Sequence, residues 1–332
     1  MASLIIINAS LSRPRRIALG CLFLIMAFCT MPVATAWTCV YVSSYHKGYT
    51  WSDGVERGLR SALQGQCNIV QFDMDSKRNR SEPYIKQKAQ EIAAEITRIK
   101  PDVLIVSDDN AAKYLAVPYF NGGELPVVFC GINWTVDEYN FSPANVTGMV
   151  EVAPVRPLLH WAKKLKKGAS GRYIGAKTLT AEKNIAHVEK VAVKLGIKLE
   201  SVLVDNQVEW RNAFDKTDGV DFIYIGSSAG ISDWDEQTNS QFIRQHVDKL
   251  LLTNHDWMMP IAMLGFVKIP EEHGVWAGKT ALAIHQGLSI DRIPVISNRE
   301  WEIYENPSLL NITEISLPKA LRAKAKKYNQ GK

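Results

Sequence analysis

Two adjacent carboxylates, Asp108 and Asp109, stand between Ser107 and Asn110 directly after an apolar run at 103–106. A pair in that place could read an ammonium or hydroxyl group of a ligand, could act catalytically, or could accept a phosphoryl group. One of the two could instead cap the helix that follows. Other chemistry-bearing residues also cluster immediately after apolar runs. Ser44, Tyr45 and Trp51 follow 40–42, and Cys130, Asn133 and Trp134 follow 126–129. Lys177 and Thr178 follow 173–176, and Ser227 and Ser228 follow 222–225. Hydroxyls, amides, carboxylates and aromatic faces gathered in this way suit the orienting of a small solute. Trp51 and Trp134 could stack on a planar ligand or pack one half of the molecule on the other. Ser227 and Ser228, before Ala229-Gly230, could hold a carboxylate or cap a helix.

Catalytic readings find less support. The seven histidines have no short paired spacing, and neither HExxH nor CxxC occurs, so no metal site is expected. Ser227 does not sit in a GxSxG elbow, and there is no glycine-rich phosphate loop. Cys130 follows a strongly apolar strand and reads as a small buried hydrophobe rather than a nucleophile. Neither a catalytic residue nor a cofactor is expected, and the chain reads as a binder rather than an enzyme.

The elements that would place these residues alternate along the chain. Strands are expected at 40–42, 69–72, 103–106 and 126–129. Helices are expected near 55–63, starting at the capping pattern Thr50-Trp-Ser-Asp53, at 85–99 and at 111–116. After residue 148 the alternation restarts. It gives a helix at 155–167, a strand at 173–176, a helix stopped at Gly196, and strands at 199–204, 222–225 and 261–264, with a helix from about 236 to 252 before the last. Such repetition specifies an α/β fold of two lobes, each a parallel sheet covered by helices on both faces. In open sheets of this kind ligands gather beyond the carboxyl ends of the strands, where the residues above fall.

The first 36 residues set the compartment. Arg13, Arg15 and Arg16 precede an apolar run at 17–31, and Ala34-Thr35-Ala36 forms a small-residue cleavage signal. A signal peptide cleaved near Ala36 is expected, leaving an exported, periplasmic chain from Trp37; an uncleaved N-terminal anchor is the alternative. Removing the three arginines lowers the net charge from +5 to +2, too little for a nucleic-acid footprint. Cys39 and Cys67 begin neighbouring strands and could form a disulfide in an oxidising compartment.

The runs PDVLIVSDDNAAKYL, LPVVFCGINW, NVTGM, HGVWAGKTALAIHQGLSIDRIPV and NPSLLNITEISLPKAL resemble the substrate-binding components of ABC importers. The likeness is to the broad group that includes aromatic-amino-acid binders. It implies the type I periplasmic-binding fold, in which two lobes joined by three crossovers close on a ligand like a hinge. The implied crossings lie near 147–152, 271–275 and 296–301. An N-terminal lobe of 37–148 plus about 275–298 would then face a C-terminal lobe of 149–274 plus about 299–332. The implied partners are a small-molecule ligand and an inner-membrane ABC permease, or a sensor kinase, with the chain itself a monomer. Where the group carries a small residue and a Thr-Asp-Pro-like stretch, this chain has Cys130 and Asn133-Trp134-Thr135, which points to a different ligand.

Overall fold

The computed structural model describes residues 37–166 and 170–329, so the expected leader lies outside the described residues. β1 (Trp37–Ser43) is followed by α1 (Thr50–Leu63), β2 (Cys67–Asp73) and α2 (Glu82–Ile99). α2 buries Ile85, Ala89, Ile92, Ala93 and Ile96, one stripe at helical spacing. It ends where Lys100 turns left-handed and donates its N–H to the Ile96 carbonyl, just before Pro101. β3 (Val103–Ser107), buried at every position, leads into α3 (Asp108–Ala111), which runs on through a π-helical turn (Ala112–Ala116) to Val117–Tyr119. β4 (Val127–Asn133) and β5 (Val146–Glu151) complete this run.

The second lobe opens with α4 (Val155–Lys166), β6 (Ser170–Ala176), α5 (Leu179–Lys194), β7 (Lys198–Val204), α6 (Gln207–Asp215) and β8 (Phe222–Ile225). α7 (Glu236–His246) then stops short of its expected end. Leu250–Thr253 forms a central strand, β9, because its apolar run is wholly buried between neighbours. The strand expected at 261–264 also shifts. Residues 256–261 wind into a 3-10 turn containing Pro260, which supplies no ladder donor, and β10 (Leu264–Lys268) begins after it. α8 (Pro270–His285), β11 (Ile296–Ser297), β12 (Trp301–Glu305) and β13 (Ala325–Lys327) finish the chain.

One sheet has the order β11-β5-β4-β3-β1-β2 and the other β13-β12-β10-β9-β8-β6-β7; every pairing is parallel except that of β10 with β12. α2 and α3 cover one face of the first sheet, and α1 and α8 the other. This is the α/β, two-lobed, type I periplasmic-binding architecture. The Sγ atoms of Cys39 and Cys67 are bonded, with Cα atoms 6.2 Å apart. At the start of α1, Thr50 is already helical. Asp53 reaches back to accept the Gly48 N–H at 3.0 Å, so the contact falls two residues earlier than the Thr50 pattern implies.

α1 and α8 meet along glycines. A Cβ at Gly274 would lie 1.9 Å from the Val55 carbonyl oxygen, and one at Gly58 would lie 2.2 Å from that of Glu271. The chain leaves the first sheet after β5, returns to it at 268–270, and leaves again between β11 and β12. These passages are tied together. Lys268 forms a buried ion pair with Glu151, and Asn298 accepts the Val152 N–H at 2.6 Å. Glu272 accepts the N–H groups of Arg299 and Glu300 at 2.8 and 2.9 Å.

Candidate functional site between the lobes

The segments following the strands of both sheets meet in the gap between the lobes. There they line a narrow cavity of ≈ 20 Å³, room for about one water molecule while the lobes stand as they do here. The first lobe contributes Tyr45, Tyr49, Trp51, Lys77, Asp108 and Glu151. The second contributes Tyr173, Thr178, Thr180, Asn184, Ser227, His255, Trp257 and Lys268. A wider recess of ≈ 400 Å³ opens beside it, lined by Lys77, Arg78, Arg80, Ser228, Gly230 and Trp234 among others.

Asp108 is placed by backbone geometry. Its φ is +69°, the left-handed region that a non-glycine residue adopts only at a cost. Opposite it, Gly131, at φ +73°, marks a bulge in β4 against β5, and a side chain there would stand 3.6 Å from the Asp108 carboxyl. The result is a carboxylate 2% exposed whose Oδ2 has no hydrogen-bond partner among the described residues. Burial, then the neighbouring Asp109 charge, pushes Asp108 up to about 7, against the opposing pull of Lys77 and Lys268. Tyr45 faces it as well, and Tyr41, Tyr49 and Cys130 feel its charge; burial raises all four of these groups. Lys77 stands over the Tyr45 ring at 4.5 Å and the Tyr49 ring at 5.8 Å. Burial brings Lys77 down to about 8, opposed by Asp108 and Asp109.

Three other polar atoms of the cavity wall are buried without partners: Trp51 Nε1, Trp257 Nε1 and His255 Nδ1. Burial and the nearby Lys77 charge hold His255 neutral, down to about 3. A closed gap with one free carboxylate oxygen and two free indole donors provides oriented hydrogen bonds and aromatic faces, with no nucleophile and base paired for turnover. Among the described residues no group of three or more His, Cys, Asp or Glu side chains could hold a metal.

The two aspartates do different things, and neither caps α3, whose first turn has no side-chain cap. Asp109 accepts from Asn133 Nδ2 at 2.6 Å, from Tyr139 at 2.7 Å and from Lys183 of the second lobe at 2.5 Å. Trp134, also left-handed at φ +67°, leaves the cavity wall to stack on His187 at 4.3 Å and donate to Asn184 at 2.8 Å. The packing alternative therefore describes Trp134, whereas Trp51 lines the cavity beneath the Lys268 ammonium, 4.9 Å from its ring. Tyr45 donates to or accepts from Thr180 at 3.1 Å.

Of the other sequence candidates, Thr178 and Ser227 line the cavity and Ser228 lines the recess. Thr178 also caps α5, accepting from Ala181 N–H at 3.2 Å. No helix directly follows Ser227-Ser228; the Ser227 hydroxyl instead accepts the Ala229 N–H in a local turn. Ser44 and Ser107 are buried behind the site, where Ser44 bonds the Ser107 carbonyl and the Ala111 N–H. Asn110 donates to Ser76, Lys177 is exposed at the rim, and Cys130 is fully buried inside β4.

Lys77, Glu151, Lys183, Asn184, His255, Trp257 and Lys268 were not singled out from the sequence. His255 lies two residues beyond β9, a stretch whose pattern reads as helix, and Lys268 ends β10, which the pattern places too early. Lys77 follows β2, whose position was legible, so the rule that found Asp108 would have found it.

No protein-family model matches the chain, and no curated protein matches it in sequence. Solved structures share its two-lobed fold. A conserved domain protein from Vibrio cholerae is 16% identical with a TM-score of 0.68, covering 88% of this chain and 99% of that one. The ABC domain of Streptococcus pneumoniae in complex with L-Trp, also 16% identical with a TM-score of 0.68, covers 87% and 99%. A ligand-free, open substrate-binding protein with adhesive properties from Clostridium difficile is 14% identical with a TM-score of 0.63, covering 88% and 99%. Transcription regulators are among the matching chains as well.

Proposed function

We propose that the protein is the solute-binding component of an ABC importer, exported to the periplasm and acting as a monomer that delivers its ligand to an inner-membrane permease. The observation that carries this reading is the cavity between the lobes, walled from both sides, with four buried polar atoms that have no protein partner. Such atoms are costly to leave unmet, and a ligand that met them would favour the closed arrangement over the open one. Binding without turnover fits the absence of a paired nucleophile and base in that wall. The ligand contacts are assigned to Tyr45, Tyr49, Trp51, Lys77, Asp108, Ser227, His255 and Trp257. Lys183 and Trp134 act beside the cavity by holding the lobes together.

Native mass spectrometry of the purified protein followed by a thermal-shift panel tests this. A bound small molecule released unchanged, and a melting temperature that rises with ligand concentration, are expected. Crystals grown with and without active compounds should differ in the angle between the lobes. A cleft that stays shut on its own side chains in every crystal, with no compound raising the melting temperature, would reject the reading.

In a second reading the same closure on a ligand is a signal passed to a membrane kinase or other receptor; the transcription regulators among the fold neighbours support only that this fold is not confined to import. Co-purification with a permease supports import; ligand-dependent activation of a kinase supports sensing.

A further inference from the structure

The charges around the cavity divide into those already neutralised and those left over. Glu151 holds Lys268, both side chains nearly buried. Asp109 holds Lys183, which also reaches Glu138 at 3.1 Å. Asp108 and Lys77 remain, the first with an unpartnered Oδ2 and the second with its ammonium between two phenol rings. An ammonium against aromatic faces and beside a carboxylate is how proteins select organic cations. Here that position is filled from within, by a side chain on the segment between β2 and α2 that also lines the outer recess. A four-carbon stem lets such a group swing from one compartment to the other.

We propose that the solute carries a cationic amine or quaternary ammonium group, that this group takes the Tyr45–Tyr49 cage against Asp108, and that Lys77 is an internal stand-in for it. The proposal rests on the solute-binding reading above and names the class of ligand. When Lys77 withdraws toward the recess, the buried carboxylate loses an unpaired cation whose charge acts on it, and the ligand's charge replaces it. An anion in the same place would face the free Asp108 oxygen and the negative faces of the rings. Trp51 Nε1 and Trp257 Nε1 remain as donors to acceptor oxygens elsewhere on the solute.

Calorimetric titration with three ring compounds of similar size, the cation benzyltrimethylammonium, the anion phenylacetate and the neutral benzyl alcohol, tests this. The cation should bind most tightly. Lys77→Met, which keeps an apolar stem and removes the competing charge, should tighten it by about tenfold or more, and Asp108→Asn should weaken it by a similar factor. If Asp108→Asn does not fold, the three probes and Lys77→Met still decide. Tighter binding of phenylacetate, weaker cation binding in Lys77→Met, or no cation binding at millimolar concentration would overturn the proposal. Should the cation fail while another solute raises the melting temperature, the inference falls and the solute-binding reading stands. Should no solute of any charge do so, both fall.

Discussion

Asp108 and Asp109 are neighbours in the chain and opposites in circumstance. Asp109 is saturated, with an amide, a phenol and a lysine from the facing lobe around it. Asp108, one residue earlier, keeps an oxygen with no partner. The same contrast runs through their surroundings. Beside Asp109 the lobes are fastened by the Trp134 stack on His187 and its bond to Asn184, whereas beside Asp108 the indoles of Trp51 and Trp257 have donors to spare. On one side of the cleft the buried polar groups are satisfied by bonds across the lobes, and on the other they are not, which is where the proposed ligand would complete them. A site and its latch can therefore be told apart by which buried polar groups are satisfied.

Removing the latch should cost most. Asp109→Ala leaves the Lys183 ammonium and the Tyr139 and Asn133 donors without their acceptor, and should lower unfolding free energy by ~3 kcal/mol in urea titration. An effect below ~1 kcal/mol would erase the contrast. Trp134→Ala loses a ring stack and a bond across the lobes, and should lower stability by about 1–2 kcal/mol while also weakening ligand binding, since the closed state loses contacts the open state never had.

Acid should separate the two aspartates further. His255 and His273 are held down to about 3 by burial, against about 6.5 in an unfolded chain. From pH 6.5 downward the unfolded state takes up protons the native state refuses, so stability falls with pH. Asp108 acts oppositely. Its folded value of about 7 exceeds the unfolded carboxylate range, so its contribution is present at low pH and lost as pH rises through 7. Asp108→Asn should therefore steepen the acid loss between pH 7 and 5, by about 1–2 kcal/mol in parallel urea titrations. A parallel shift of the two curves would contradict the placement of Asp108. The smallest effect is expected for the same variant at pH 8. There, relief from a buried charge should leave stability equal to or slightly above the parent, within ~1 kcal/mol by thermal and urea unfolding.

Much of this architecture was legible in the residues. The stripe Ile85, Ala89, Ile92, Ala93, Ile96 reads as a helix because its period is that of the buried face, and the run 103–106 reads as a doubly covered strand. Where the reading slipped, two signals competed. Leu250–Thr253 continues a helical-looking stretch, and only its place between β8 and β10 makes it a strand. The candidate site was half visible for the same reason. Residues after correctly placed strands, such as Asp108 and Ser227, stand out in the sequence, whereas His255, just beyond β9, and Lys268, at the end of β10, do not. The division of labour between Asp108 and Asp109 was invisible, since it depends on the Gly131 bulge and on Lys183 from the other lobe.

The glycine seam between α1 and α8 has a mechanical consequence. With backbone against backbone at Gly58 and Gly274, no side chain is left there to yield, and the two helices must travel as a single stiff lever. Any swing of one lobe is then forced into the few peptides at 152–154, 268–270 and 298–300. A substitution as slight as Gly274→Ala would consequently be felt at the pivot, far from any ligand, as a change in how easily the molecule opens.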